Sequence, residues 1–125
     1  MACRWMYSDQ ELTTKFLEFN PVDELVSRFD VKNSRCVTFS HFIPRDELFF
    51  GWPALREVMG SRRIDEVLRK LSPAVHVFGH SHMDVDRVHQ GVRYVQHHLG
   101  SEPYHRTNSS FPRFKPKLVL DAEEK

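Results

Sequence analysis

Residues 74–96 read AVHVFGHSHMDVDRVHQGVRYVQ, and the order of apolar, turn and histidine residues in this stretch decides the fold. Ala74–Phe78 is a short, largely apolar run broken by Gly79, the pattern of a buried strand. Asp84–His89 then alternates, Gln90-Gly91 has the chemistry of a tight hairpin turn, and Val92–Gln96 returns. The stretch predicts a strand, a loop that carries two histidines, and a hairpin.

Upstream, Ile64, Val67, Leu68 and Leu71 recur at helical spacing in a helix that begins at Ser61 and is ended by Pro73. Cys36–Phe39 is a β-rich run too short for a helix, and it leads into a loop at Ser40-His41 before Pro44 stops extended pairing. The segment PRDELFF can form a helical turn, and GWPALREVMG is a connector bracketed by Gly51 and Gly60. The opening predicts two helices. In the first, Ser8 and Glu11 form a capping box and Leu12, Phe16 and Phe19 form an apolar face. In the second, Asn20 caps, Pro21 takes the first helical position, and Val22, Leu25, Val26 and Phe29 supply a buried stripe. After Gly100 the chain is loop-like, with Pro103, Pro112 and Pro116, before a last strand expected at Lys117–Leu120.

This alternation of helices and strands is an α/β arrangement. It divides into an N-terminal helical segment at 1–34, a main unit at 35–120 and a solvated tail at 121–125. With 125 residues the chain is one small domain or part of a larger one, and its 40% hydrophobic content is enough to build a core. The 18 basic and 17 acidic residues are interspersed, leaving a net charge of +1 and no basic stripe, so nucleic acid is not an expected partner. The N-terminus carries no signal-peptide pattern and nothing later resembles a membrane span, so no membrane association is expected. Cys3 and Cys36 are far apart and read as reduced thiols, Cys36 buried in a strand. Both points give a cytoplasmic location as the expectation.

Histidine is the outlier: seven of the eight lie between His76 and His105. His76 falls inside the strand and reads as a hydrogen-bonded core residue. His89 beside the hairpin turn is expected to be solvated, His97-His98 adjoin a strand end, and His105 lies in a polar loop. His41, His80 and His82 are different, because each lies just past the C-terminal end of an expected strand. Open α/β sheets place ligand sites at that edge, and the three converge if their strands are neighbours. Neutral imidazole is a good ligand for Zn, Mn and Fe.

Ser40-His41-Phe42-Ile43-Pro44 and Gly79-His80-Ser81-His82 together resemble the last two signature blocks of the calcineurin-like metallophosphoesterases. In that family a lone histidine in a Ser-His-x-x-Pro setting precedes a Gly-His-x-His block. The segment GVRYVQHHLGSEP is similar to the strand and loop that close such domains, with His97-His98 where many members carry Asn-Pro. The resemblance spans roughly residues 35–103. It implies hydrolysis of a phosphoester substrate at a site of two divalent metal ions (Mn, Fe or Zn), which activate water and neutralise charge on the phosphoryl oxygens. His41 and His80 would bind one ion and His82 the other.

The family's earlier blocks, Asp-x-His, Gly-Asp and Gly-Asn-His-Asp/Glu, have no counterpart before His41. The resemblance therefore implies the C-terminal half of such a domain: a partial metallophosphoesterase-type β-sandwich flanked by helices, lacking the bridging carboxylate. A chain of this kind is expected to be inactive alone and to self-associate through an exposed sheet face. Two other readings compete. One is a non-catalytic scaffold or interaction module derived from the same fold. The other is a metallo-β-lactamase-like hydrolase, whose His-x-His-x-Asp-His motif matches His80-Ser81-His82-Met83-Asp84 until Val85 replaces the final histidine.

Overall fold

Strand β2 (Val75–Val77) lies between two parallel neighbours, β1 (Val37–Phe39) and β4 (Val92–Gln96). Strand β3 (Val85–His89) pairs antiparallel with β4 at the far edge, giving a four-stranded mixed sheet in the order β1-β2-β4-β3. The structure is a computed structural model that describes residues 14–15, 18–19, 21–31, 33–98 and 115–121. The α/β class expected from sequence is therefore present. The expected first helix with its Ser8–Glu11 box falls almost entirely outside the described residues, as do Cys3, Asn20 and His105. Phe19, expected on that helix's apolar face, is 83% exposed.

The central strand is short because its pairing is continued by loop backbone. The amide of Ala74 donates to Cys36 O, that of Phe78 to Val95 O, and that of Ser40 to Val77 O. Cys36, expected inside the strand, sits just before it and is half-buried with a free thiol. The hairpin turn is as expected. Gln90 and Gly91 both take positive φ (48° and 80°), which a two-residue turn between right-twisted strands requires. Asp86 and Arg87 on β3 are exposed, and such charges discourage pairing at a sheet edge.

Register fixes which side chains share a face. Thr38, His76 and Tyr94 stand in one row. Phe78, Val85 and Val92 point to the same side, where Ile43, Leu48 and Phe49 from the β1–β2 crossover complete the core. That crossover contains a 3-10 turn at Asp46–Leu48 and another at Pro53–Leu55. A short helix α2 (Arg56–Met59) and the longer α3 (Arg62–Arg69) follow. Helix α3 starts as the sequence predicts, with Ser61 Oγ accepting from Arg63 N–H. Its face buries Leu68 and, beside it, the unexpected Asp65.

Helix α1 (Val22–Arg28) forms one residue later than expected, with Pro21 as its cap. Its expected buried stripe is corrected: no residue of α1 is buried, Leu25 is 38% exposed and Phe29 beyond it 62% exposed. The physical reason is position. α1 leans over the sheet edge at β1, and between it, α3 and β1 a groove of about 300 Å³ stays unfilled. The strand expected at Lys117–Leu120 is also corrected, because 115–121 forms no strand. Side chains hold that segment instead of a neighbouring backbone. Arg93 Nη1 donates to Val119 O at 3.0 Å, Arg35 donates to Asp121 O, and Lys117 Nζ meets Asp86 at 2.8 Å.

Candidate functional site

The parallel pairing of β1 with β2 brings the loops after both strands to one sheet edge. Their backbones remain joined past the strand ends, where Gly79 N–H donates to His41 O at 3.1 Å. This closes the two histidines together: His41 Nε2 and His80 Nδ1 are 2.9 Å apart, with ring centroids 4.8 Å apart and the planes 71° from parallel. Phe42 packs against both rings, at 5.1 Å from His41 and 4.8 Å from His80. The convergence expected for neighbouring strands is present for this pair.

The loop that carries His80 and His82 is conformationally unusual. Both residues have positive φ, 71° and 54°, a region few non-glycine residues occupy although histidine tolerates it better than most. Ser81 N–H donates to Gly79 O at 2.9 Å, so the hydrogen bond closes across His80 alone. A three-residue turn with a positive central φ is the rare, strained γ-turn. Such backbone persists only where its surroundings over-determine it, and it clusters at functional sites.

What over-determines it is Gln96, the last residue of β4, which is 2% exposed. The amide orientation is assigned from its neighbours, and in the one that gives each end a suitable partner Nε2 donates to Gly79 O at 3.0 Å and to Ser81 Oγ at 2.8 Å. Oε1 accepts from His82 N–H at 2.8 Å and Met83 N–H at 3.1 Å. Sequence reading passed over this residue. The available signal was a polar side chain ending an otherwise buried strand, next to the strand that feeds the Gly-His-Ser-His loop.

The His41 loop is held from below by His76, which is 1% exposed. Ser40 Oγ–H donates to Phe42 O at 2.6 Å, so the same hydroxyl accepts from His76 Nε2–H at 3.0 Å. That assigns the tautomer, leaving His76 Nδ1 to accept from Thr38 Oγ1–H at 2.8 Å. Burial pushes the His76 pKa down to about 4, against a smaller opposing pull from Asp65, so the ring is neutral at pH 7. The expectation of a hydrogen-bonded core histidine is met.

The remaining histidines divide otherwise than expected. His89 is half-buried rather than solvated, and its Nε2 is buried with no hydrogen-bond partner among the described residues. His97 and His98 both reach Asp84 Oδ1, at 3.2 and 3.3 Å, at the same sheet edge as the His41–His80 pair. Burial works to raise the Asp84 pKa, but the His98 amide and the two imidazoles hold the carboxyl below its usual range. His97 Nε2 also contacts Lys115 O at 3.0 Å, tying the C-terminal segment to this edge.

Two nitrogens held at about 2.0–2.1 Å by a tetrahedral zinc stand about 3.3–3.4 Å apart, whereas the 2.9 Å between His41 Nε2 and His80 Nδ1 is the length of an N–H···N hydrogen bond between the rings. The two rings would have to part by a few tenths of an ångström to share one tetrahedral ion. His82, the third expected ligand, is exposed. Among the described residues, no group of three or more His, Cys, Asp or Glu side chains is gathered closely enough to hold an ion. A complete ligand set is not assembled by the described residues.

Comparison of the chain with protein-family models, with curated proteins and with solved structures finds no match in any of the three. Among the described residues no helix is long and apolar enough to cross a membrane.

Proposed function

We propose that this chain carries the histidine side of a divalent-metal centre of the metallophosphoesterase type. In this reading His41 and His80 serve one ion and His82 a second, and the sheet is one layer of that family's sandwich. The observation that carries it is the 2.9 Å approach of His41 Nε2 to His80 Nδ1 at the C-terminal edge of two adjacent parallel strands. The strained backbone at His80 and His82 supports the same reading. When bound, divalent ions supply Lewis-acid neutralisation of phosphoryl charge and activate water. The chain's own part is to present imidazoles from two loops whose backbones are already joined. A phosphoester is the corresponding substrate class. The free thiol of Cys36 suits the cytoplasmic setting expected for such a protein.

A second reading is favoured by the incomplete ligand set among the described residues: a non-catalytic module that kept the scaffold. Isothermal titration of the full chain with Zn²⁺ and Mn²⁺ separates the two. Sub-micromolar binding, weakened at least tenfold in both His41→Ala and His80→Ala, supports the metal centre. Absence of binding, or binding indifferent to both substitutions, leaves the scaffold. Hydrolysis of an aryl phosphate by the chain alone is expected to be negligible, since among the described residues no carboxylate joins the pair.

A further inference from the structure

Gln96 lies on a different strand from every candidate ligand, yet its amide meets four groups of the loop that carries two of them. Its oxygen takes the N–H groups of His82 and Met83, and its nitrogen takes Gly79 O and Ser81 Oγ. The Gly79 carbonyl is the same one that closes the γ-turn over His80. A side chain that were merely filling the end of β4 would need none of this; valine fills the neighbouring buried position. The amide is also matched to one loop conformation. An extended backbone at His80 or His82 would carry the bonded N–H and C=O groups away from it and strand a buried amide, at a cost larger than the gain from any one of its bonds.

We propose that Gln96 is the positioning residue of the candidate site, holding the strained Gly79–Met83 turn so that His80 faces His41. It touches no ion or substrate and acts only through the backbone of the histidines it holds. As a statement about metal affinity the inference rests on the metal-centre reading; as a statement about the loop it stands on the hydrogen bonds alone.

The two parts are tested separately on the full chain. Hydrogen exchange of the unsubstituted protein is expected to show the His82 and Met83 amides protected, although both lie in irregular backbone and His82 is exposed. Gln96→Met keeps the size and removes the amide, so that protection is expected to vanish while the β4 amides stay protected. Zn²⁺ titration should then show the methionine variant weakened about 10- to 100-fold, the usual consequence of losing a group that orients a ligand. Unprotected His82 and Met83 amides in the unsubstituted protein overturn the proposal, and this arm needs no variant to fold. Unchanged Zn²⁺ affinity in Gln96→Met overturns its functional half. Failure of the unsubstituted chain to bind Zn²⁺ instead overturns the metal-centre reading and leaves exchange to judge the loop.

Discussion

The hydroxyl of Tyr94 in the central sheet donates to the carboxylate of Asp65 on helix α3, joining the two layers through a buried polar bond. Tyr94 is fully buried and Asp65 is 4% exposed. The carboxylate also accepts from Arg45 Nη1 at 2.5 Å and Arg69 Nε at 2.8 Å, and Arg69 Nη2 donates to the Tyr94 oxygen at 2.9 Å. Burial alone would raise the Asp65 pKa. The bonds from Tyr94, Arg69 and Arg45 outweigh it and hold the carboxyl below its usual range. Burial and the Asp65 charge together push the Tyr94 pKa up to about 12.

Removing the carboxylate is therefore expected to cost more than removing the hydroxyl. Tyr94→Phe should lose about 1–3 kcal/mol, because Asp65 keeps its two arginines. Asp65→Ala leaves a nearly buried Arg45 with only the exposed Glu47, 3.2 Å from its Nη2, as counter-ion and strips Tyr94 and Arg69 of their partner, so it should lose about 3–5 kcal/mol. Urea denaturation of the two variants gives the comparison. An Asp65→Ala chain as stable as Tyr94→Phe would show that the network does not join the layers.

His76 sets a pH dependence of known sign. Its native pKa is about 4 against an ordinary 6.5, so between these values the unfolded chain binds a proton that the native chain refuses. Stability is then complete above pH 6.5 and falls as pH drops toward 4, by about 3 kcal/mol in total. The depressed carboxylates act in a lower window, where the native state loses stability as they take up protons. Unfolding free energies measured between pH 4.5 and 7 should show the slope in the unsubstituted protein and a shallower one in His76→Gln. Identical slopes would mean that His76 is not held neutral.

Two glycines make opposite predictions. A β-carbon on Gly60 would stand 1.9 Å from the Ile43 carbonyl oxygen. Ile43 N–H donates to Met59 O and Ser61 N–H donates to Ile43 O, so these backbones cannot separate without losing both bonds. Gly60 has an extended φ of 175°, so the obstacle is purely one of space. Gly60→Ala is expected to cost about 1–3 kcal/mol, as overpacking does. At Gly79 the nearest atom to an added β-carbon is 3.4 Å away, an ordinary contact. Gly79→Ala should stay within about 0.5 kcal/mol of the unsubstituted protein. Thermal melts of both variants decide it, and a reversed order would refute the account.

These contrasts show where sequence was legible. The hairpin at Gln90-Gly91, the strand at Val75–Val77 and the Ser61-capped helix were readable because each depends on short-range chemistry: positive φ, apolar continuity, a cap. The meeting of His41 and His80 was readable only conditionally, because it needed β1 and β2 to be neighbours, which no local pattern states. Asp65 and Gln96 were missed for one reason. Each is a polar residue whose burial is made tolerable largely by partners distant in sequence, Tyr94 and Arg45 for Asp65 and the Gly79–Met83 loop for Gln96, so local hydrophobicity says nothing of it. The stripe on α1 failed in the opposite way: its apolar spacing is real, but amphipathicity promises a partner without supplying one.

The second sheet face carries the last prediction. Register places Val37 and Val88 in one row with Val75, and Phe39 in the next with Val95. Val75 and Val95 are buried at the centre, whereas Phe39 is 85% exposed, Val88 71% and Val37 40%. At the rim a carboxylate and a guanidinium pair, Asp86 with Arg93 at 2.8 Å, rather than covering these side chains. Phe39 lies on the edge strand β1, so its exposed ring is accessible to a second copy of the chain. The protein is therefore expected to self-associate as concentration rises, and Phe39→Lys to restore the monomer by putting a charge where the ring was. Sedimentation velocity over a hundredfold concentration range measures this. A chain that stays monomeric throughout, or a Phe39→Lys variant that associates equally well, would remove this face from consideration as a contact between copies.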